Sequence, residues 1–317
     1  MGGGGGGGGG WSSGGSFVGK SPQSVAESIR ELESSAKNEE YEADVAALLG
    51  DVLASANDRN TDAVATHLDE IRKALGKEIE GSVDLLFGGS VSKKTYVDGV
   101  SDVDALVILN NSELAEKSPK EVCDYFLVRL RERFATSDVV PDGFAVDIRF
   151  GDVTVQVVPV IRKGDDYLLP NNEHTAWSRV RPKAFTDALT AVNKACANKV
   201  VPTIKLAKAL MAALPEMRRV SGYHAERLAT EIFKGYDGAL TPKAMVQHFF
   251  TKAPQLVREP MHDPTGQSQF VDDHLGAAHS VERLTIADSL DRIGRRLRNA
   301  DGAHSVEQWA ELFGEGT

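Results

Sequence analysis

Four short apolar runs, set inside an otherwise helical sequence, constrain this fold more than any other feature. VDLLFGGS begins at Val83, VDALVIL at Val103, FAVDIRF at Phe144 and VTVQVVPVI at Val153. Each is a short apolar run bounded by turn signals, and the last three are rich in β-branched residues, as a buried strand is. Only Gly151 and Asp152 separate the third from the fourth, which predicts a hairpin with a two-residue turn. Elsewhere the apolar spacing is helical: 22–37, 40–56 and 61–75 before the runs, 119–135 between the second and third, then 182–198, 202–214, 221–233, 243–251 and 281–300. This order predicts an α+β fold, a mixed sheet with helices followed by a helical half. At 317 residues the chain is long enough for two lobes with substantial cores. The expected division is a flexible glycine-rich tail over 1–20, a core with its N-terminal helices over 21–168, and a helical C-terminal lobe over 169–317.

The tail contains a false lead. GGSFVGKS, at 14–21, matches the phosphate-cradling P-loop pattern letter for letter. Such a loop works only where a strand feeds it and a helix leaves it, so that backbone N–H groups converge on phosphate. Here MGGGGGGGGGWSS precedes it, with almost no side chain to bury and maximal backbone entropy to lose. Phosphate chemistry must lie elsewhere. The same start lacks the basic region and apolar core of a signal peptide. No apolar run approaches the roughly 20 residues of a membrane span. Cys123 and Cys196 have no ligand spacing and read as reduced core residues. A cytoplasmic location without a membrane partner is expected. The net charge of −10 argues against stable nucleic-acid binding. Yet residues 149–219 hold twelve Lys or Arg against six Asp or Glu, a basic middle that suits a small polyanion such as a nucleoside triphosphate.

The chemistry concentrates in FGGSVSKKTYVDGVSDVDALVILN, which begins at Phe87. Gly88 and Gly89 let backbone approach a ligand closely, and Ser90 offers a hydroxyl to a terminal phosphate. Asp102 and Asp104 are two apart on a strand, so their carboxylates share a face. Two acids on one face repel unless a cation sits between them. Mg²⁺ is the expected partner, because it binds through one or two carboxylates plus substrate phosphates.

This stretch resembles the DNA polymerase β-like nucleotidyltransferases, whose signature is a Gly-Ser followed by D-x-D. The wider chain resembles their cGAS/DncV-like branch, the CD-NTases of bacterial CBASS signalling. The likeness runs through GSVSKKTYVDGVSDVDALV, the strand ending in VVPVI, WSRVRPKAF with Asn193, VVPTIKLAKAL, SGYHAERLA and DPTGQSQFVDDHLG. It implies a bilobal fold, a polymerase β-like core plus a helical lobe. It also implies two Mg²⁺ ions, with Mn²⁺ as an alternative, and the joining of NTPs, ATP among them, into a cyclic di- or oligonucleotide. A downstream effector and CBASS regulatory proteins would be the partners. Residue by residue, it implies nucleotide contacts for Gly89 and Ser90, a triphosphate contact for Lys205, a phosphate contact for Ser221 and base stacking for Tyr223. Two rival activities stay open, transfer to a protein or an RNA end, and a catalytically dead nucleotide-binding scaffold.

One position departs from the family. Its third metal-binding carboxylate usually stands three residues before the proline of the last core strand. Here that proline is Pro159 and the residue is Gln156, a neutral amide in the nucleotide site. The expected hairpin offers a substitute. With Gly151-Asp152 as the turn, Phe150 pairs with Val153, Arg149 with Thr154, and Asp147 with Gln156, so Asp147 is the expected third catalytic and metal-binding carboxylate.

Overall fold

The computed structural model describes residues 21–57, 61–77, 81–87, 93–95, 97, 103–151, 153–164, 166–171, 173–266 and 269–314. By its internal contacts the chain divides into two units, Met1–Asp44 and Val45–Thr317. The GGSFVGKS match lies outside the described residues apart from Ser21, whose Oγ accepts from the Ser24 N–H at 3.2 Å and caps the first helix. That helix, α1, runs unbroken over Pro22–Ser55. The break expected near 38–39 does not occur, because neither Pro nor Gly interrupts the hydrogen-bond ladder there.

In the second unit, α2 (Thr61–Leu75) precedes β1 (Gly81–Phe87) and β2 (Val103–Ser112). Then come α3 (Pro119–Arg133), β3 (Asp138–Asp142), β4 (Ala145–Phe150), β5 (Val153–Lys163), β6 (Asp166–Pro170) and β7 (Trp177–Val180). Ser118 and Glu121 form a capping box that starts α3. Among the described residues the seven strands make one sheet of order β1-β2-β5-β4-β3, with β6 on the end of β5 and β7 beyond it. β2 and β5 run parallel, and the other pairs are antiparallel. Sequence spacing did not reveal β3, β6 or β7. β3 contains Pro141, which a ladder tolerates only at an edge, and β3 is an edge strand.

The pleat sorts the side chains. Val103, Ala105, Val107 and Leu109 of β2, Val146 and Ile148 of β4, and Val155 and Val157 of β5 are buried in one core with Ile71 and Leu75 of α2 and Phe126 and Leu130 of α3. The alternate residues take the other face. Ile108, Val158, Val160, Leu169 and Val180 form a smaller apolar cluster there. On that same face, toward the start of β2 and β5, Asp104 and Gln156 stay half-buried.

The helical half consists of α4 (Pro182–Ala195), α5 (Val200–Ala212), α6 (Gly222–Ile232), α7 (Pro242–Leu256), α8 (Val281–Gly302) and α9 (Val306–Leu312). Side chains of Ser221, Thr241, Ser280 and Ser305 cap α6, α7, α8 and α9. α8 packs closely on α7 because Gly294 has no Cβ, which would stand 2.8 Å from the Phe250 carbonyl oxygen. Both cysteines are buried free thiols. No described helix is long and apolar enough to cross a membrane.

Candidate active site

Three strands bring the expected residues abreast. Gln156 on β5 is the register partner of Asp104 on β2 and also of Asp147 on β4. The hairpin register read from the two-residue turn is the one observed, from Phe150–Val153 through Arg149–Thr154 to Asp147–Gln156. Gly151 makes this turn in the left-handed region, with φ of +46°. Asp104, Gln156 and Asp147 therefore form a row across one face of the sheet, each half-buried. Asp102, Gly89 and Ser90 lie outside the described residues.

Within the row the Gln156 side chain bridges two acids. Its Nε2 donates to Asp147 Oδ1 at 3.3 Å and to Asp142 Oδ2 at 3.1 Å. Asp142, at the end of β3, was not anticipated, because its strand was not. Asp104 and Asp147 stand two strands apart, about 10 Å between Cα atoms at the usual inter-strand spacing. Among the described residues no group of three or more His, Cys, Asp or Glu is placed to hold a metal. The oxygen donors available suit a hard cation such as Mg²⁺, with Asp102 completing the D-x-D pair from the sequence.

The two lysines of α5 separate sharply. Lys205 is half-buried and its Nζ donates to Asn57 Oδ1. Lys208 is 4% exposed, with its Nζ 3.0 Å from the Thr95 carbonyl oxygen and 2.9 Å from Glu226 Oε1. Glu226 also receives Lys93 Nζ at 2.5 Å and the Thr95 hydroxyl. Burial alone would raise the Glu226 carboxyl, but Lys208 and Lys93, with hydrogen bonds from Lys93 and Thr95, hold it below the usual range. This buried cluster ties residues 93–95, part of the β1–β2 connection, to α5 and α6. Lys93, Thr95 and Glu226 were invisible as a group because Thr95 and Glu226 are 131 positions apart, and Lys93 is farther still.

Ser221 and Tyr223 sit at the start of α6. The Ser221 hydroxyl accepts from His224 N–H at 3.2 Å. The Tyr223 ring packs edge-on against Phe185, with centroids 4.9 Å apart, and Lys93 Nζ lies 5.1 Å from its centroid. Its hydroxyl donates to Asp263 Oδ1 at 2.8 Å, and burial followed by that bond pushes its pKa up. Asp263 is itself held by the backbone and hydroxyl of Thr265. The other end of the DPTGQSQFVDDHLG stretch is also anchored: Asp272 Oδ2 accepts from Arg283 Nη1 at 2.6 Å, both fully buried. Asn193 Oδ1 accepts from Val201 N–H at 3.0 Å, joining α4 to α5. Arg179 and Arg181, two of the basic residues between 149 and 219, both pair with Asp166, at 3.2 and 3.3 Å.

Residues 41–193 match the SMODS family, the Second Messenger Oligonucleotide or Dinucleotide Synthetase domain. Over these residues, just under half of the chain, the sequence is similar to the nucleotidyltransferases of that family. The match takes in the whole Asp104–Gln156–Asp147 row and ends within α4. No curated protein matches the sequence. Solved structures do match in fold. CdnC of E. coli MS115-1 with ATP aligns at TM-score 0.57 and 18% identity, over 83% of this chain and 93% of that one. E. coli DncV in its 3′-deoxy GTP bound form gives 0.62 and 14%, over 94% and 91%. Vibrio cholerae DncV cyclic AMP-GMP synthase, in complex with the linear intermediate 5′ pppA(3′,5′)pG, gives 0.60 and 13%, over 89% and 90%. At these identities the likeness is one of fold, and it extends past the SMODS domain into the helical half. The α+β architecture that the motifs imply is thus the one observed, and these solved structures share it.

Proposed function

We propose that this protein is a Mg²⁺-dependent nucleotidyltransferase that joins NTPs into a cyclic di- or oligonucleotide messenger for bacterial antiphage (CBASS) signalling. The observation that carries the reading is the row that sets Asp104 beside Gln156 and Asp147 on the polar end of a SMODS sheet. Asp102 and Asp104 would hold the metal, and two bound Mg²⁺ ions would favour the ionised 3′-hydroxyl and stabilise the departing pyrophosphate. Asp147 contributes the third negative charge beside the neutral Gln156. Gly89 and Ser90 receive the triphosphate, and Lys205 adds a cation to it. Ser221 and Tyr223 stand at the nucleotide, the latter as an aromatic face for a base. In each transfer the 3′-oxygen forms a bond to an α-phosphorus, the bond to the bridging oxygen breaks, and pyrophosphate leaves. The hydroxyl proton passes to a carboxylate of the row or to solvent. The last such transfer closes the ring.

The core of 21–168 would carry this chemistry, and the helical lobe of 169–317 would close the nucleotide site. The protein would act in the cytoplasm and signal to a cyclic-nucleotide effector. A regulatory partner fits the same reading, since CdnC of E. coli MS115-1 is known in a complex with HORMA-deltaN. Gln156 favours one rival, a protein that binds nucleotide without turning it over.

Incubation with four labelled NTPs and Mg²⁺ or Mn²⁺ separates the readings. A small, phosphatase-resistant labelled product is expected. Label on a protein or RNA end would replace the cyclase with a macromolecule-modifying transferase. Nucleotide binding without turnover would make the chain a scaffold.

A further inference from the structure

We infer that Gln156 gives its amide oxygen to the divalent cation held at Asp104, aimed at it by Asp147 and Asp142. The inference rests on the metal-dependent reading above and gives the departure at residue 156 a definite role. A carboxylate accepts hydrogen bonds and cannot donate them. The end of the Gln156 amide that meets Asp142 at 3.1 Å and Asp147 at 3.3 Å is therefore the NH₂. Those two bonds use both of its hydrogens, so the flip of the amide is fixed by chemistry.

The amide oxygen is left for something else. Among the described residues nothing donates to Gln156 Oε1. β4 and β3 lie on one side of β5 and β2 on the other. An amide whose nitrogen is held toward β4 turns its oxygen away from it, on the side where Asp104 occupies the neighbouring register position. Two anions on the N–H side also draw charge onto the oxygen, as outer partners raise the basicity of a metal ligand. Gln156 thus presents an oxygen where the family presents a carboxylate, and Asp142 and Asp147 are positioning residues behind it. Asp147, two strands from Asp104, exerts its charge through the amide.

The test measures Mn²⁺ binding by electron paramagnetic resonance, with a nonhydrolysable ATP analogue, so no turnover is needed. Wild type should show a tight site that Asp104→Ala removes. Asp142→Asn and Asp147→Asn should each weaken Mn²⁺ about 10–100-fold, the usual cost of losing an outer-shell partner. In a Gln156→Ala background neither substitution should weaken it further. Thermal unfolding checks that each variant folds, and Gln156→Met, which keeps the side-chain length without an amide, replaces Gln156→Ala if that one does not. Wild-type affinity in Asp142→Asn would overturn the inference, as would an Asp147→Asn effect that persists without the Gln156 amide. A Mn²⁺ site that depends on Asp104 yet ignores Gln156 sinks this inference alone. The absence of any Asp104-dependent site sinks the metal-dependent reading with it.

Discussion

Single residues carry the sharpest tests. Asp102→Ala and Asp104→Ala should each abolish NTP joining while leaving the melting temperature unchanged or raised, because each removes one of two like charges two positions apart in the sequence. Product analysis beside a thermal melt checks this, and near-normal product from either variant would end the paired-carboxylate reading. The α5 lysines should fail in different ways. Lys205→Ala should weaken NTP binding by about 1.5–3 kcal/mol, the range for a bond to a charged group. Lys208→Ala should instead lower stability. It strips one cation from the buried Glu226, whereas Lys93 and the Thr95 hydroxyl remain. A loss near or below the low end of the about 3–5 kcal/mol typical of a broken buried pair is expected in urea denaturation. Equal effects of the two on nucleotide affinity would contradict this division. Spacing put both lysines on one helix face, and nothing local distinguished them. Only the arrival of Glu226 from α6 made one a buried ion-pair partner.

At the scale of elements, the β4–β5 hairpin sets the site. Gly151 adopts φ of +46°, where a side chain costs about 1–2 kcal/mol. Gly151→Val should lower stability by that amount and lower turnover beyond what the stability loss explains, since a one-residue slip would turn Asp147 to the opposite face. A variant with lowered stability and wild-type kcat would show that the register survives without glycine. The packing of Asp272 and Arg283 near His224 of α6 has its own signature. Burial is the main cause that lowers the pKa of His224 to about 4, with Asp272 opposing and Arg283 assisting. Between about 6.5, its ordinary value, and 4 the unfolded chain takes up a proton that the folded chain refuses. Stability is therefore full above pH 6.5 and falls as the pH drops through that window, by about 3 kcal/mol at roughly 1.4 kcal/mol per unit. Urea titrations from pH 7.5 to 4.5 should show the slope, and His224→Gln should flatten it. The hairpin was legible in the sequence because its turn and alternation are local. β3, β6 and β7 were not, because short strands and a proline-bearing edge take their pairing from neighbours distant in the chain.

For the whole molecule, deleting residues 1–20 should leave NTP joining within about twofold of the full chain. A glycine-rich sequence with almost no side chain to bury is not expected to supply the strand a phosphate loop needs, and loss of NTP binding on that deletion would restore GGSFVGKS as a site. The sequence by itself determined the class of fold, the order of its main elements and the Asp147–Gln156 register. All of these follow from periodicity, turn residues and short-range spacing, which act between near neighbours. Only the tertiary structure decided that Asp104 joins that pair across a parallel β2–β5 contact, that Asp142 reaches the Gln156 amide, and that Glu226 gathers Lys93, Thr95 and Lys208. Those contacts link residues from separate elements, and burial, not sequence proximity, sets their charge state and partners.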